Sequence, residues 1–244
     1  YADMSMAAAP SAEDFLAPVT ALAHSEGRPP AVCFAPGTSQ DYVTQVTQYM
    51  SGPMGSSLQV GPTTAKFQVD NRWSTTATDG GGLNQGDPTT LTWSYVPDGT
   101  MLAQTCGVPG EPGAGDTSNF QATFNTAFGD FATWHALFVA VFARWSELSG
   151  INFVYEPNDD GAPYATSGNP GQLGVRGDMR IGGHTIDGNF DVLACNYFPN
   201  NGDMIIDTAD SFFVPGPNNS LGVRNVIAHE LGHGLAFDHV CPIN

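Results

Sequence analysis

The chain has 244 residues, enough for one sizeable domain with an apolar core, or for one domain and an N-terminal extension. Its formal net charge is −17 with only 7 lysines and arginines, so we expect no binding to nucleic acid or to anionic membranes. No apolar run approaches the length of a membrane span.

Residues 1–66 are rich in Ala, Pro, Ser and Gly and contain one short helical candidate, Ala12 to Ala23. We interpret them as an N-terminal extension, either a pro-segment or a small accessory unit, ahead of a main domain over residues 67–244. In that domain the alternation of polar and apolar residues from Thr90 to Val96 predicts a strand. Pro97-Asp98-Gly99 then predicts a turn that ends it.

Two helices are predicted next. Ser118 and Gln121 have the spacing of a capping box, which opens a helix that is interrupted near Gly129. From Phe131 the apolar residues fall on one helical face, and Ser149-Gly150 ends this second helix. We expect the second helix to pack on a sheet through its aromatic stripe.

Short strands follow the long helix. They are predicted at Ile151 to Tyr155, Asp178 to Ile181, Val192 to Tyr197 and Asp203 to Asp207. Ser220 is placed to cap a final helix. The elements together predict an α+β fold.

The final helix carries His229 and His233, which are four residues apart and so project from the same face, ready for one metal. Glu230 lies near enough to a metal-bound water to take its proton without being a ligand. His239 completes a three-histidine set if the helix stops near Gly234 and the chain doubles back. The fourth tetrahedral position then stays open, as a catalytic zinc requires.

The four cysteines are Cys33, Cys106, Cys195 and Cys241, an even set without CxxC spacing. In an exported protein such a set predicts two disulfides, with three alternative pairings that the sequence leaves open. The aspartates lie mostly in Gly/Asn-rich loops, a pattern typical of calcium coordination or of a saline exterior. We therefore expect an extracellular or cell-surface protein.

From Thr90 to His239 the chain resembles a matrixin-type metzincin, the clan of zinc endopeptidases that includes the matrix metalloproteinases. The segments that carry the resemblance are Leu91-Thr92-Trp93-Ser94-Tyr95, Arg144-Trp145-Ser146-Glu147-Leu148-Ser149-Gly150, Gly177-Asp178-Met179-Arg180-Ile181, Asp187-Gly188-Asn189-Phe190-Asp191-Val192-Leu193-Ala194, Gly202-Asp203 and the zinc helix. Arg176-Gly177-Asp178 and Asn201-Gly202-Asp203-Met204 are similar to a bacterial branch of the family. The resemblance implies an α/β/α-like metzincin fold, with a twisted, mixed five-stranded sheet, a long packing helix and a zinc-binding helix.

The resemblance also implies a secreted zinc endopeptidase that hydrolyses protein or peptide substrates through a zinc-bound water. Glu230 would be the general base and then the proton shuttle, and His229, His233 and His239 would hold one zinc. Val192-Leu193-Ala194 would lie on the edge strand, where an extended substrate adds as a further strand.

The family also has calcium sites. Asp187, Asp207 and Asp210 match one of them, and hard oxygen ligands on two neighbouring loops are what calcium needs. Asp178 and Asp203 match a second site. We expect one or two structural calcium ions, and the alternative for these aspartates is turn formation by Asx hydrogen bonds without an ion.

The chain departs from the family at several places. Cys195 and Ile205 occupy two histidine places of the family's structural zinc, which leaves His184 alone nearby, so we expect no structural zinc. The family glycine that turns the chain towards the third histidine is Ala236, which at positive φ costs about 1 kcal/mol relative to glycine. No methionine follows His239, where the family has its methionine turn, so we expect either a C-terminally incomplete chain or a degenerate member of the family.

Cys106-Gly107-Val108-Pro109 resembles the pro-segment thiol that caps zinc in matrix metalloproteinases. It follows the first strand instead of preceding it, so we expect a loop cysteine in a disulfide. Cys33 has the right chain order but lacks the flanking residues. Two other classes of function remain open: a non-catalytic structural or adhesion protein that retains the metzincin fold, and a zinc hydrolase of a non-peptide substrate.

Overall fold

A computed structural model describes residues 30–50, 72–84, 86–102, 105–112, 115–164 and 170–239. The helix predicted at Ala12 to Ala23, and Cys241, lie outside these ranges. The strands are β1 (Ala31–Phe34), β2 (Thr75–Thr76), β3 (Gly80–Gly81), β4 (Thr90–Tyr95), β5 (Met101–Leu102), β6 (Asp116–Thr117), β7 (Asn152–Tyr155), β8 (Met179–His184), β9 (Val192–Asn196) and β10 (Met204–Asp207). The helices are α1 (Gln40–Met50), α2 (Phe120–Phe128), α3 (Phe131–Ser149) and α4 (Pro217–Gly234).

Within the described residues, six strands form one sheet in the order β1-β9-β10-β8-β4-β7. Strands β7, β4, β8 and β10 are parallel, whereas β9 is antiparallel to β10 and β1 is antiparallel to β9. All five predicted strands are present, which confirms the mixed α+β fold. The sixth strand, β1, lies within residues 1–66, which we interpreted as an N-terminal extension, and it was not predicted from the sequence.

The two faces of the sheet have separate apolar cores, because successive residues of a strand point to opposite faces. Trp93 and Ile206 pack on the face that α2, α3 and α4 cover. Ile205 packs on the other face, with Tyr42 and Val46 of α1. Residues 31–50 therefore belong to the same packed body as the main domain, since β1 extends its sheet and α1 covers one face.

Helix α3 supplies much of the first core. Its fully buried Trp134 and Phe138 each contribute about 1.5–3 kcal/mol by leaving water. Asp130 caps its first turn by accepting the Thr133 N–H at 2.7 Å, and Gly150 ends it with a left-handed φ of 74°. By length and composition, no single described helix could span a membrane, and α2 and α3 pass that test only as a pair bent by 105°.

The start of α2 differs from the predicted capping box. The carboxylate of Asp98, in the turn after β4, accepts the N–H groups of Gln121 at 2.9 Å and of Ala122 at 2.8 Å. The side-chain amide of Gln121 donates to the carbonyl of Val96 instead of bonding to the backbone near Ser118. The cap comes from a distant loop, which local sequence spacing could not reveal.

Helix α4 begins with an irregular turn. Residues 218–220 have left-handed backbone angles, with φ of 53°, 55° and 51°. The hydroxyl of Ser220 accepts the Gly216 N–H at 3.2 Å, so the predicted cap at Ser220 is wrong. Regular helix follows as far as Gly234 and carries the three residues His229, Glu230 and His233.

Candidate metal centre and active site

Three histidine side chains converge where α4 ends. The Nε2 atoms are 3.0 Å apart for His229 and His233, 3.0 Å for His229 and His239, and 3.1 Å for His233 and His239. The chain doubles back at Ala236, whose φ is 78°, at the position where the resemblance placed a turn glycine. The helix thus stops where His239 can join the pair, as the spacing required.

The hydrogen bonding and the burial of these rings favour the neutral imidazole, the form that binds a metal. The Nδ1 of His233 lies 2.7 Å from the carbonyl oxygen of Phe237. A carbonyl can only accept, so Nδ1 donates and Nε2 presents its lone pair to the centre. Burial and the charge of His239 lower the pKa of His229 to about 4, which favours the neutral imidazole that binds metals.

The donor set fits zinc. With Zn–N bonds of about 2.0–2.1 Å, tetrahedral geometry places ligand nitrogens roughly 3.3 Å apart, close to the separations of these three Nε2 atoms. Three imidazoles with an open fourth position are the ligand pattern of a catalytic zinc site.

Glu230 lies beside this set and is completely buried. No described residue hydrogen-bonds either of its carboxylate oxygens. Burial raises its pKa well above the usual range for a glutamate. A buried carboxylate without a partner is rare in folded proteins and indicates a place where a water molecule or a ligand supplies the missing contact.

The edge of the sheet beyond β9 is covered by β1. Val192, Leu193 and Ala194, the predicted substrate-binding residues, lie on β9 and are buried. Cys33 of β1 is paired with Ala194, so its side chain points to the face that α4 covers. The predicted substrate edge and the N-terminal extension are thus in direct backbone contact.

Cys33 reaches the histidine site. Its Sγ, a ring nitrogen of His229 and a carboxylate oxygen of Glu230 all lie within 4.8 Å of one another. Burial and the charge of Glu230 raise the pKa of the thiol. Sequence reasoning noted only the chain order of Cys33; its pairing with β9 is a long-range contact that no local motif signals.

The expectation that the cysteines form two disulfides is wrong for Cys33, whose thiol is free. Cys106 and Cys195 form a disulfide with a Cα–Cα distance of 5.7 Å, as expected for a loop cysteine. Cys195 points to the face that α1 covers, whereas Cys33 points to the face that α4 covers. The strand alternation therefore places the sulfur of Cys33 and the sulfur of Cys195 on opposite faces of the sheet.

His184 is buried between two carboxylates. Its Nε2 lies 3.1 Å from Glu111 and its Nδ1 lies 3.2 Å from Asp116. Burial opposes its protonation, but the hydrogen bonds and charges of Glu111 and Asp116 outweigh that effect and raise its pKa. Cys195 and Ile205, at two of the family's structural zinc positions, are buried in the neighbouring core. His184 is thus a satisfied buried residue, one of the two roles that a lone histidine usually has.

The structure brings Asp187, Asp207 and Asp210 onto neighbouring loops. Asp207 accepts the Asp187 N–H at 3.1 Å, Asp210 accepts the Phe190 N–H at 2.8 Å, and Asp187 accepts the Tyr42 hydroxyl at 2.6 Å. Burial raises the pKa of all three carboxyls, that of Asp187 to about 7. Among the described residues, the groups of three whose ligand atoms all lie within 4.8 Å are both at the histidine site. The calcium site stays a prediction.

Asp178 and Asp203 face different partners. Asp178 accepts the backbone N–H of Thr92 at 2.8 Å and of Ala77 at 2.7 Å. Asp203 accepts the backbone N–H of Arg180 at 3.1 Å, and its burial raises its pKa to about 7. These contacts pin segments to the sheet, and the second calcium site also stays a prediction.

Comparison with known families agrees with this geometry. The matrixin model of peptidase family M10 matches residues 120–242, a span that runs from α2 to beyond the third histidine. No curated protein matches the chain. The match covers half of the chain and contains the three convergent histidines and Glu230. The chain therefore belongs to the matrixin family of zinc metallopeptidases.

Proposed function

We propose that this matrixin hydrolyses peptide bonds with Glu230 as the general base and with His229, His233 and His239 as the ligands of one zinc. The observation that carries the proposal is the carboxylate of Glu230, which is fully buried and unpaired beside three convergent nitrogens. Proteins tolerate such an unpaired group mainly at functional sites, where perturbed carboxyls also concentrate.

Zinc, when bound, supplies a Lewis acid that polarises the scissile carbonyl and makes a bound water molecule more acidic. Glu230 accepts the proton of the attacking water and passes it to the nitrogen of the leaving amine. The dry surroundings that raise its pKa favour a carboxyl that holds the proton during this transfer. The bond from His233 to the carbonyl of Phe237 keeps the ring oriented.

The substrate is proposed to bind as an extended strand along Val192-Leu193-Ala194. In such strand addition, backbone hydrogen bonds hold the peptide and pockets select its side chains. Strand β1 now makes those hydrogen bonds, in antiparallel register with β9. The chain is therefore proposed to be latent as long as β1 stays in place.

The same contacts favour a pro-segment over an accessory unit as the role of the N-terminal extension. The thiol of Cys33 lies next to His229 and Glu230, where it can take the open coordination position of the metal. Activation would then require residues 31–50 to leave both the edge of β9 and the face covered by α1. Export to an oxidising compartment, which the disulfide favours, and calcium at Asp187, Asp207 and Asp210 complete the proposal.

Zinc content and peptidase activity of the full chain test the proposal together. We expect one zinc per chain in the wild type and in His135→Ala, and loss of that zinc in His233→Ala. A quenched fluorescent peptide should be hydrolysed only after the N-terminal extension has been cleaved. Bound zinc without hydrolysis in any form would favour the non-catalytic alternative. Hydrolysis of esters or small amides without proteolysis would favour the non-peptide hydrolase.

A further inference from the structure

Each end of the zinc-binding turn is held by the N–H of an indole. Trp145, on α3, donates from Nε1 to the carbonyl oxygen of Ala228 at 3.0 Å. Trp73, just before β2, donates from Nε1 to the carbonyl oxygen of Gly234 at 2.8 Å in a buried contact. The two carbonyls come immediately before His229 and immediately after His233, so the two bonds bracket the histidine pair.

The two indole rings lie against glycines. A Cβ on Gly232 of α4 would lie 3.3 Å from Cζ2 of Trp145. A Cβ on Gly202 would lie 2.6 Å from Cζ2 of Trp73, a distance that real Cβ atoms essentially never show. A larger residue at Gly202 would displace the ring of Trp73, and a larger residue at Gly232 would require the ring of Trp145 to shift by a few tenths of an ångström. The backbone is thus shaped to admit both rings.

The end of α4 needs such support. The last four carbonyls of a helix have no partner within the helix, and Gly234 contributes one of them. Trp73 supplies the missing donor from a segment that is 161 residues away in sequence. Trp145 also packs near the ring of Phe237, at a centroid distance of 5.6 Å, and the Phe237 carbonyl holds the Nδ1 of His233.

We propose that Trp73 and Trp145 are positioning residues, which fix the zinc-binding turn so that its histidine nitrogens stay at the spacing a metal requires. They act through the backbone of α4, to which both donate their indole N–H groups. The inference rests on the proposed function, because it requires the three-histidine set to bind zinc. Outer partners that orient metal ligands typically change metal affinity by about 10–100-fold when they are removed.

The test replaces each tryptophan by phenylalanine, which keeps an aromatic ring and removes the N–H donor. Trp134→Phe is the matched control, since Trp134 is also buried and donates from Nε1 to Asn125 at 2.8 Å, on the neighbouring helix α2. Zinc affinity of the full chain is measured by competition with a chromophoric chelator. The absorption spectrum of the cobalt-substituted protein reports the geometry of the site, and circular dichroism reports folding.

We expect Trp73→Phe and Trp145→Phe to fold, to bind zinc about tenfold more weakly and to shift the cobalt spectrum, whereas Trp134→Phe changes neither metal property. Zinc affinities and cobalt spectra that are the same in all three variants as in the wild type would overturn the proposal. An equal loss of affinity in Trp134→Phe would also overturn it, because general destabilisation would then explain the effect. A wild-type chain that binds no zinc at these histidines would instead refute the proposed function.

Discussion

Two buried glutamate side chains of this matrixin lie beside histidines on opposite sides of the same sheet, and their carboxylates differ in hydrogen bonding. Glu111 accepts the backbone N–H groups of Cys106, Gly107 and Val108 at 2.9–3.3 Å, and it also contacts His184 at 3.1 Å. Glu230 is completely buried, and no described residue hydrogen-bonds it. The same side chain therefore closes a polar network at one site and leaves it open at the other.

Under the proposed function, the difference separates a structural role at Glu111 from a chemical role at Glu230. A satisfied network such as that of Glu111 fixes the loop between β5 and β6 to the sheet, next to the Cys106–Cys195 disulfide. The open network at Glu230 costs stability and is retained where a metal and a substrate can complete it.

The largest expected effect is on turnover in Glu230→Gln. The amide cannot accept a proton, so kcat of the activated enzyme should fall by about 10²- to 10⁴-fold while zinc stays bound. Steady-state kinetics and zinc analysis of the same preparation check this. Glu111→Gln, once folded, should keep turnover near that of the wild type. Undiminished proteolysis by Glu230→Gln would place the general base elsewhere.

The second effect is on stability in Glu111→Gln. Removing one partner of a buried ion pair typically costs about 3–5 kcal/mol. His184 would then keep only the half-exposed carboxylate of Asp116 as a partner. Urea unfolding at pH 6, where the raised pKa keeps His184 protonated, should show a loss of that size. Glu147→Gln is the control, because Glu147 pairs with Arg144 on the exposed surface of α3. Equal losses in both variants would contradict a special role for the buried pair.

The sequence predicted the parts of the site that depend on local spacing. The histidine pair on one helical face and the end of α3 at Gly150 are periodic or capping signals, and both are where they were expected. Strand β1 was missed because Ala31–Phe34 is short and finds its partner β9 about 160 residues further on. The cap by Asp98 and the partners of His184 are also tertiary contacts, which no window of sequence contains.

Calcium binding tests a third group of carboxylates. Hydrogen bonds satisfy this group less fully than Glu111 but more fully than Glu230. Asp187, Asp207 and Asp210 accept N–H and O–H groups but have raised pKa values, so a cation would relieve their crowding. Calcium at 100 times its Kd should stabilise the chain by about 2.7 kcal/mol. A chelator that spares zinc should then lower Tm by roughly 5–10 °C.

Two variants decide whether that shift comes from these aspartates. Asp210→Asn should remove the response of Tm to calcium. Asp79→Asn, which alters a carboxylate that accepts the backbone N–H of Thr90 elsewhere, should leave the response intact. A Tm that is the same with and without calcium in the wild type would count against the site and would favour simple Asx turns.

A smaller effect is expected at Cys33, whose Sγ lies within 4.8 Å of a carboxylate oxygen of Glu230. Cys33→Ser keeps β1 paired with β9 but removes the sulfur ligand from the proposed latent state. A contact worth about 1.4 kcal/mol shifts the latent population about tenfold, so peptidase activity of the uncleaved chain should rise by about that factor. Thr44→Ala, on the exposed side of α1, is the control. If both variants stay as inactive as the wild type, the pairing of β1 alone maintains latency.

The smallest effect is a pair of opposite pH dependences at His184 and His135, the described histidines outside the zinc set. The pKa of His184 is raised above 6.5, because Glu111 and Asp116 outweigh its burial. The stability that its protonated form contributes is present below pH 6.5 and is lost as pH rises through the folded pKa. The pKa of His135 is lowered by burial, so its contribution is lost as pH falls below 6.5.

Replacement of each histidine by Asn isolates these contributions in the zinc-loaded protein. Relative to His184→Asn, the wild type should lose up to about 1.4 kcal/mol of unfolding free energy per pH unit above pH 6.5. Relative to His135→Asn, it should lose stability only below pH 6.5. Urea unfolding from pH 5 to 8.5 measures both slopes. If the unfolding free energy relative to His184→Asn instead fell as pH decreased, as expected for His135, burial would dominate the pKa of His184. The hydrogen bonds of Glu111 and Asp116 would then not satisfy His184, and the contrast with Glu230 would be lost.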